Sequence, residues 1–236
     1  MLVAAAVCPC PPLLVPEVAA GAAPELDEAR DACAAALGVL AAARPELLVV
    51  VGPAGPEGAG RHLMGATGSF RGFGVDLEVT LGAAGRTAAH ELPSSLAVGA
   101  WLLEQAESSS VPVEGLGVEE TLGAGQCAEL GRELAGRAGR VALLVMGDGS
   151  ACRTVKAPGY LDDRAAGFDT TAARALEAAD HEALLTLDES LARELKAAGR
   201  APWQVLAGAA EGAGLGGQLL YENAPYGVGY FVALWS

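Results

Sequence analysis

The sequence predicts an α/β fold: a single domain over residues 1–236, with a central, mostly buried sheet and helices on both faces. Two observations carry that expectation. Residues 1–7, 46–51 and 140–146 (MLVAAAV, ELLVVV, RVALLVM) are almost wholly apolar, and each run is soon stopped by Gly or Pro. A strand with one wet face alternates apolar and polar residues, whereas a near-continuous apolar run fits a strand buried on both faces. Helical stretches lie between these runs, and strands alternating with helices place helices on both faces of a sheet. No repeat, low-complexity linker or clean composition break divides the chain.

Taken in order, residues 1–7 form the first strand, stopped by Cys-Pro-Cys-Pro-Pro. Residues 24–43 read as a helix with Pro24 near its first turn and Glu25, Asp27 and Glu28 at the positive end of its dipole. Residues 46–51 form the second strand, and the Gly-rich residues 52–74 read as a long loop, a kind of segment that is often functional. Residues 75–81 alternate like a half-exposed strand. Residues 92–106 predict a helix capped by Ser94 or Ser95. A strand at 111–116 and a helix at 124–138 follow. Residues 140–146 form the third buried strand, which runs into Gly147-Asp-Gly-Ser150. A loop over 151–168 leads to helices at 170–179, 181–198 and 203–210. Strands at 218–222 and 228–234 close the chain.

Composition narrows the function. Of 236 residues, 52% are apolar and 19% charged, which excludes intrinsic disorder. Asp plus Glu is 29 against 15 Lys plus Arg, for a net charge of −14. Phosphate backbones and anionic membrane surfaces are repelled by that charge, and no basic cluster offsets it, so neither nucleic acid nor a membrane is expected as a partner. No apolar run of about 18 residues escapes Gly or Pro, so no membrane span is expected. The apolar N-terminus lacks a basic leader region: its first basic residue is Arg30, and Pro9, Pro11 and Pro12 interrupt it. It reads as a buried strand of a cytoplasmic protein. Five cysteines in a chain this long do not make a disulfide framework.

Several motifs bear on chemistry. Gly52-Pro-Ala-Gly55-Pro-Glu-Gly58 follows a strand, as a dinucleotide-binding loop would, but its spacing is wrong and Pro53 and Pro56 remove two N–H donors. A structural loop is favoured. No Gly-Lys-Ser/Thr occurs, so there is no phosphate-binding P-loop. Cys8-Pro-Cys10 has no second pair of ligands to complete a zinc site, which favours buried thiols. Of the three histidines, His181 lies in a helix between two acids, His90 lies before a helix start, and His62 in the Gly-rich loop is best placed for chemistry. Asp148 and Ser150 follow a buried strand, where α/β sheets bind ligands. They are the candidate catalytic residues. A hydrolase using Ser150 as nucleophile is the weaker expectation, because no base stands near it in sequence.

Five stretches together resemble the class III extradiol ring-cleavage dioxygenase superfamily, which includes the catalytic β-subunit of protocatechuate 4,5-dioxygenase and the Memo-like proteins. They are Cys8-Pro-Cys-Pro-Pro-Leu-Leu-Val-Pro-Glu17, Leu48-Val-Val-Val-Gly-Pro53, Met146-Gly-Asp-Gly-Ser150, Ala157-Pro-Gly-Tyr-Leu-Asp162 and Ala224-Pro-Tyr-Gly-Val-Gly-Tyr230. They span nearly the whole chain in family order, and they look most like an Ala-rich actinobacterial subgroup of that superfamily, related to its catalytic β chains.

The resemblance implies a non-haem Fe(II) held by two His and one Glu, with open positions for catechol oxygens and O₂. The sequence departs from that pattern. The first His position is most nearly Cys10, the second is Ala54 or Gly55, and a second-sphere His position falls at Ala151. Glu222 stands at the carboxylate position, and His90 corresponds loosely to a further His. The metal ligands left by the resemblance are Cys10, Glu222 and a displaced His62. Tyr160 and Tyr226 are the candidate substrate-pocket residues, and Asp148 or Ser150 would orient a small aromatic or other small-molecule ligand. Homo-oligomers are common in the family, so the resemblance allows a homodimer. Two functions stay open: a divergent Fe(II) ring-cleavage oxidoreductase, or a non-catalytic relative that binds a small molecule or a protein partner in the same pocket.

Overall fold

The computed structural model describes residues 1–83, 91–106 and 111–236. Strand β1 (Leu2–Cys8) leads through two 3₁₀ segments and the short helix α1 (Pro16–Ala19) into α2 (Asp27–Ala42). Then come β2 (Leu47–Ala54), the short strands β3 (Gly60–His62), β4 (Thr67–Ser69) and β5 (Glu78–Thr80), and helix α3 (Ser94–Gln105). The next elements are β6 (Val113–Glu119), α4 (Ala124–Ala135) and β7 (Val141–Met146). Helices α5 (Ala165–Glu177), α6 (His181–Leu185), α7 (Glu189–Glu194) and α8 (Arg200–Ala210) precede β8 (Gly217–Asn223) and β9 (Tyr230–Trp235).

Seven strands form one sheet in the order β3-β6-β2-β7-β1-β9-β8, and β4 pairs with β5. The inner strands β6, β2, β7 and β1 are parallel. Strand β9 runs antiparallel to β1, so its first residue, Tyr230, meets the C-terminal ends of the parallel strands. The apolar runs follow from this placement. Val141, Leu143 and Val145 of β7 face one layer, and Ala142, Leu144 and Met146 face the other. Each fully buried Val or Leu contributes about 1.5–3 kcal/mol. Helices α4, α5 and α8 cover the first face, and α2 and α3 cover the second. Helices α4 and α8 touch through glycine: a Cβ at Gly131 would lie 2.0 Å from the Val205 carbonyl oxygen. The expected α/β architecture, with a buried sheet between helical layers, is present.

Element ends differ from expectation for local reasons. Strand β2 continues through Gly52-Pro53 to Ala54, because β6 remains beside it after its pairing with β7 has ended. The expected loop at 52–74 therefore opens with strand and contains β3 and β4. Pro24 lies in a 3₁₀ segment, and α2 starts only at Asp27. Neither Ser94 nor Ser95 caps α3; the Ser95 hydroxyl instead donates to the Pro53 carbonyl at 2.6 Å and ties α3 to β2. The helix expected at 181–198 is two helices, because the Asp188 carboxylate accepts the Leu191 N–H at 2.7 Å and starts a new one. His90 lies outside the described residues. Among those described, no helix is long and apolar enough to cross a membrane.

Candidate functional site

The C-terminal ends of β1 and β7 are stitched together by the loops that leave them. The Gly147 N–H donates to the Cys8 carbonyl at 3.0 Å. One residue later, Asp148 turns its side chain back toward β1, and its Oδ1 accepts the Cys10 N–H at 2.8 Å. The Asp148 carbonyl accepts the Gly199 N–H at 2.8 Å, just before α8. Glycine is required there: a Cβ on Gly147 would lie 2.5 Å from the Gly199 Cα.

Cys10, Asp148 and Tyr230 form one cluster on the α2–α3 side of the sheet. Cys10 is 8% exposed and Tyr230 is 2% exposed, while Asp148 keeps one edge open to solvent. Withdrawal from water raises the Asp148 carboxyl to about 7, against the opposing pull of its hydrogen bonds to Cys10. Burial also pushes the Cys10 thiol well up, and the nearby Asp148 and Glu120 carboxylates add to that shift. The Tyr230 phenol is raised as well, by burial first and then by Asp148 and Cys10. The cluster is a set of acids held toward their protonated forms, and Asp148 among them exchanges a proton near neutral pH.

Ser150 points the other way. It is fully buried on the opposite face, where its N–H and hydroxyl donate to the two oxygens of Asp169 at 2.7 and 2.8 Å. Arg153 donates to the same carboxylate at 2.9 Å. Asp169 is itself fully buried, and a Cβ on Gly149 or Gly229 would lie within 2.8 Å of its oxygens. This arrangement locks the 147–153 loop to α5 and to the turn before β9. It gives Ser150 a structural hydrogen bond, with no imidazole partner among the described residues, where a catalytic or substrate-orienting role was expected of it.

The three metal ligands left by the resemblance do not meet. His62 is buried on the edge strand β3, four strands from β1 and so roughly 19 Å away, with Nε2 2.9 Å from the Gly58 carbonyl oxygen. Glu222 is exposed on β8, at the opposite edge of the sheet. It pairs with Phe231 and so lies on the Phe231 face, away from the Cys10 cluster. Cys10, His62 and Glu222 therefore do not fit one Fe(II) ion, and Ala54, Gly55 and Ala151 offer no side-chain donor. Among the described residues, no three His, Cys, Asp or Glu side chains group around a common point suited to a metal. All five cysteines are buried and free.

The two candidate pocket tyrosines differ. Tyr226 is partly buried, and its hydroxyl is sealed from solvent with no hydrogen bond among the described residues. Tyr160 is 64% exposed with φ +64°, a left-handed backbone unusual for an aromatic residue. It stands on the surface of the 151–164 loop.

Sequence reasoning underrated Tyr230 and missed Asp169. A signal existed for each. Tyr230 opens a strand that follows a turn, and an antiparallel strand there returns to the parallel strand ends. Asp169 shares a helical stripe with Ala165, Ala172, Ala173 and Leu176, where an acid needs buried partners.

No family model matches the chain, and no curated protein matches it. Among solved structures, it resembles the crystal structure of uncharacterized protein JW3007 from Escherichia coli K12, with a TM-score of 0.62. The match has 14% identity and covers 99% of each chain, so it speaks to the fold alone.

Proposed function

We propose that the chain is a class III extradiol dioxygenase-like protein whose Fe(II) site is degenerate, and that it binds a small molecule at the strand ends without ring-cleavage chemistry. One observation carries this reading. The residues left to hold the metal lie on opposite edges and faces of the sheet, while Cys10, Asp148 and Tyr230 converge where the parallel strands end. Strand ends are the usual ligand position in such sheets. In this site Asp148 accepts a hydrogen bond from the ligand, Tyr230 donates or accepts one, and Cys10 supplies an uncharged wall. The acidic composition and five free thiols favour the cytoplasm as its compartment.

The test is catechol-dependent oxygen uptake by protein incubated anaerobically with Fe(II), run beside thermal shift with the same catechols. The reading expects no uptake, and a melting shift that Tyr230→Phe diminishes. Oxygen consumption that follows added iron would replace it with the divergent ring-cleavage oxidoreductase.

A further inference from the structure

A pocket of about 350 Å³ lies between α2 and α3 and reaches the surface at Asp31, Ala34, Gln105 and Ala106, all of them exposed. Its α2 wall follows from helical spacing: Arg30, Ala34 and Leu37 recur at intervals of four and three residues and so share one face. Trp101 and Leu102 of α3 line it from the other helix. Leu37, Trp101 and Leu102 are almost wholly buried and make an apolar floor. Ala34 and Ala106 end at Cβ, so the space beside that floor is left unfilled.

Volume and charge together narrow what fits. A cavity of roughly 150 Å³ is enough for benzene, and ligand pockets begin near about 300 Å³, so this one has room for two fused rings. Arg30 lines the pocket with its guanidinium already engaged: it donates to the Leu14 and Ala23 carbonyls at 3.2 and 2.6 Å and pairs with Asp27. The Asp31 carboxylate stands exposed at the rim. A charged ligand seated on the floor would give up its hydration and gain no partner from Leu37, Trp101 or Leu102. An uncharged ring has no ionic hydration to lose, removes its apolar surface from water and has an indole to pack against. The Gln105 amide, which can donate or accept, is at the rim for one polar atom of the ligand.

We propose that this pocket binds a small uncharged aromatic molecule of two rings, seated on Leu37, Trp101 and Leu102. It shares no residue with Cys10, Asp148 and Tyr230. Along α3, Trp101 lies roughly 9 Å from Ser95, the residue tied to the end of β2. The pocket is therefore a second site, independent of the strand-end reading above.

Three probes of one shape test it: quinoline, N-methylquinolinium and 2-naphthoate, which are neutral, cationic and anionic near neutral pH. They are titrated into the full chain with binding read by ligand-detected NMR. Quinoline binding about tenfold more tightly than either charged probe is the expected result. Ala34→Phe and Ala106→Leu, which fill the pocket from exposed positions, each weaken quinoline about tenfold or more. Tyr230→Phe, at the strand ends, leaves quinoline binding unchanged. Thermal unfolding of the variants confirms that they are folded. Quinoline binding that is indifferent to both Ala34→Phe and Ala106→Leu overturns the site. A charged probe that binds as tightly as quinoline, and loses that binding in Ala34→Phe, overturns the ligand class. Binding of none of the three overturns the proposal as a whole.

Discussion

The carboxylate of Asp148 accepts the backbone N–H of Cys10 at 2.8 Å, joining the loops that leave two adjacent parallel strands. This contact sets the site's proton chemistry, because it holds a carboxyl in a largely dry place. The folded protein keeps the Asp148 proton up to about pH 7, whereas the unfolded chain releases it near pH 4. Between those values the folded state binds more protons, so this residue makes stability fall as pH rises from about 4 to about 7 and level off above. Asp148→Asn removes that slope. Relative to wild type, the variant should gain on the order of 2 kcal/mol between pH 4 and pH 8, allowing for solvent at its open edge. Urea unfolding across that range checks it, and parallel pH profiles for the two proteins would contradict it.

Ser150 and Asp169 predict a stability effect of a different kind. Ser150→Ala leaves one buried carboxylate oxygen short of a donor and should cost about 1–3 kcal/mol. Asp169→Ala strands Arg153 and the Ser150 hydroxyl together and should cost about 3–5 kcal/mol. Denaturant melts measure both. Labelling of Ser150 by a fluorophosphonate probe in the folded protein would contradict a structural role.

The Gly147–Gly199 contact leaves no room for a methyl group. Gly147→Ala places its Cβ 2.5 Å from the Gly199 Cα, and Gly199→Ala places its Cβ 2.3 Å from the Trp203 ring. Each should destabilise by about 1–3 kcal/mol through overpacking. Gly38→Ala, which meets nothing within 4 Å inside α2, should instead stabilise by about 0.5–1 kcal/mol. Comparing the three melting temperatures tests whether the strand-end loops are as tightly joined as described.

Tyr160 holds a left-handed backbone while its ring stands in solvent. Tyr160→Gly removes strain of about 1 kcal/mol and no buried contact. Its unfolding free energy should stay within about 0.5 kcal/mol of wild type, since the added freedom of the unfolded glycine offsets the relief. A loss above about 2 kcal/mol would show that the ring packs against a partner.

Much of the fold is legible because burial on both faces leaves a plain mark: the run at 140–146 has almost no polar residue to place in water. The limits of elements are less legible. Strand β2 outlasts Gly52-Pro53 because β6 lies beside it, a fact written in no local pattern. Ser95 resembles a helix cap in sequence, yet its hydroxyl goes to Pro53, which only the packing of α3 on β2 brings near. At the site, Asp148 is legible from its place after a buried strand. Its neighbour Ser150 looks equivalent, and an extended chain would put both side chains on one face, but past β7 the loop turns Ser150 to Asp169 on the other side of the sheet. The separation of Cys10, His62 and Glu222 follows from strand order, which sequence spacing does not encode.

The most direct measurement is Fe(II) stoichiometry under anaerobic equilibrium dialysis, for wild type, Cys10→Ala and Glu222→Ala. The account predicts well under one tightly held iron per chain and no difference among the three proteins. One iron per wild-type chain, lost in either variant, would contradict it and place those residues around a common metal.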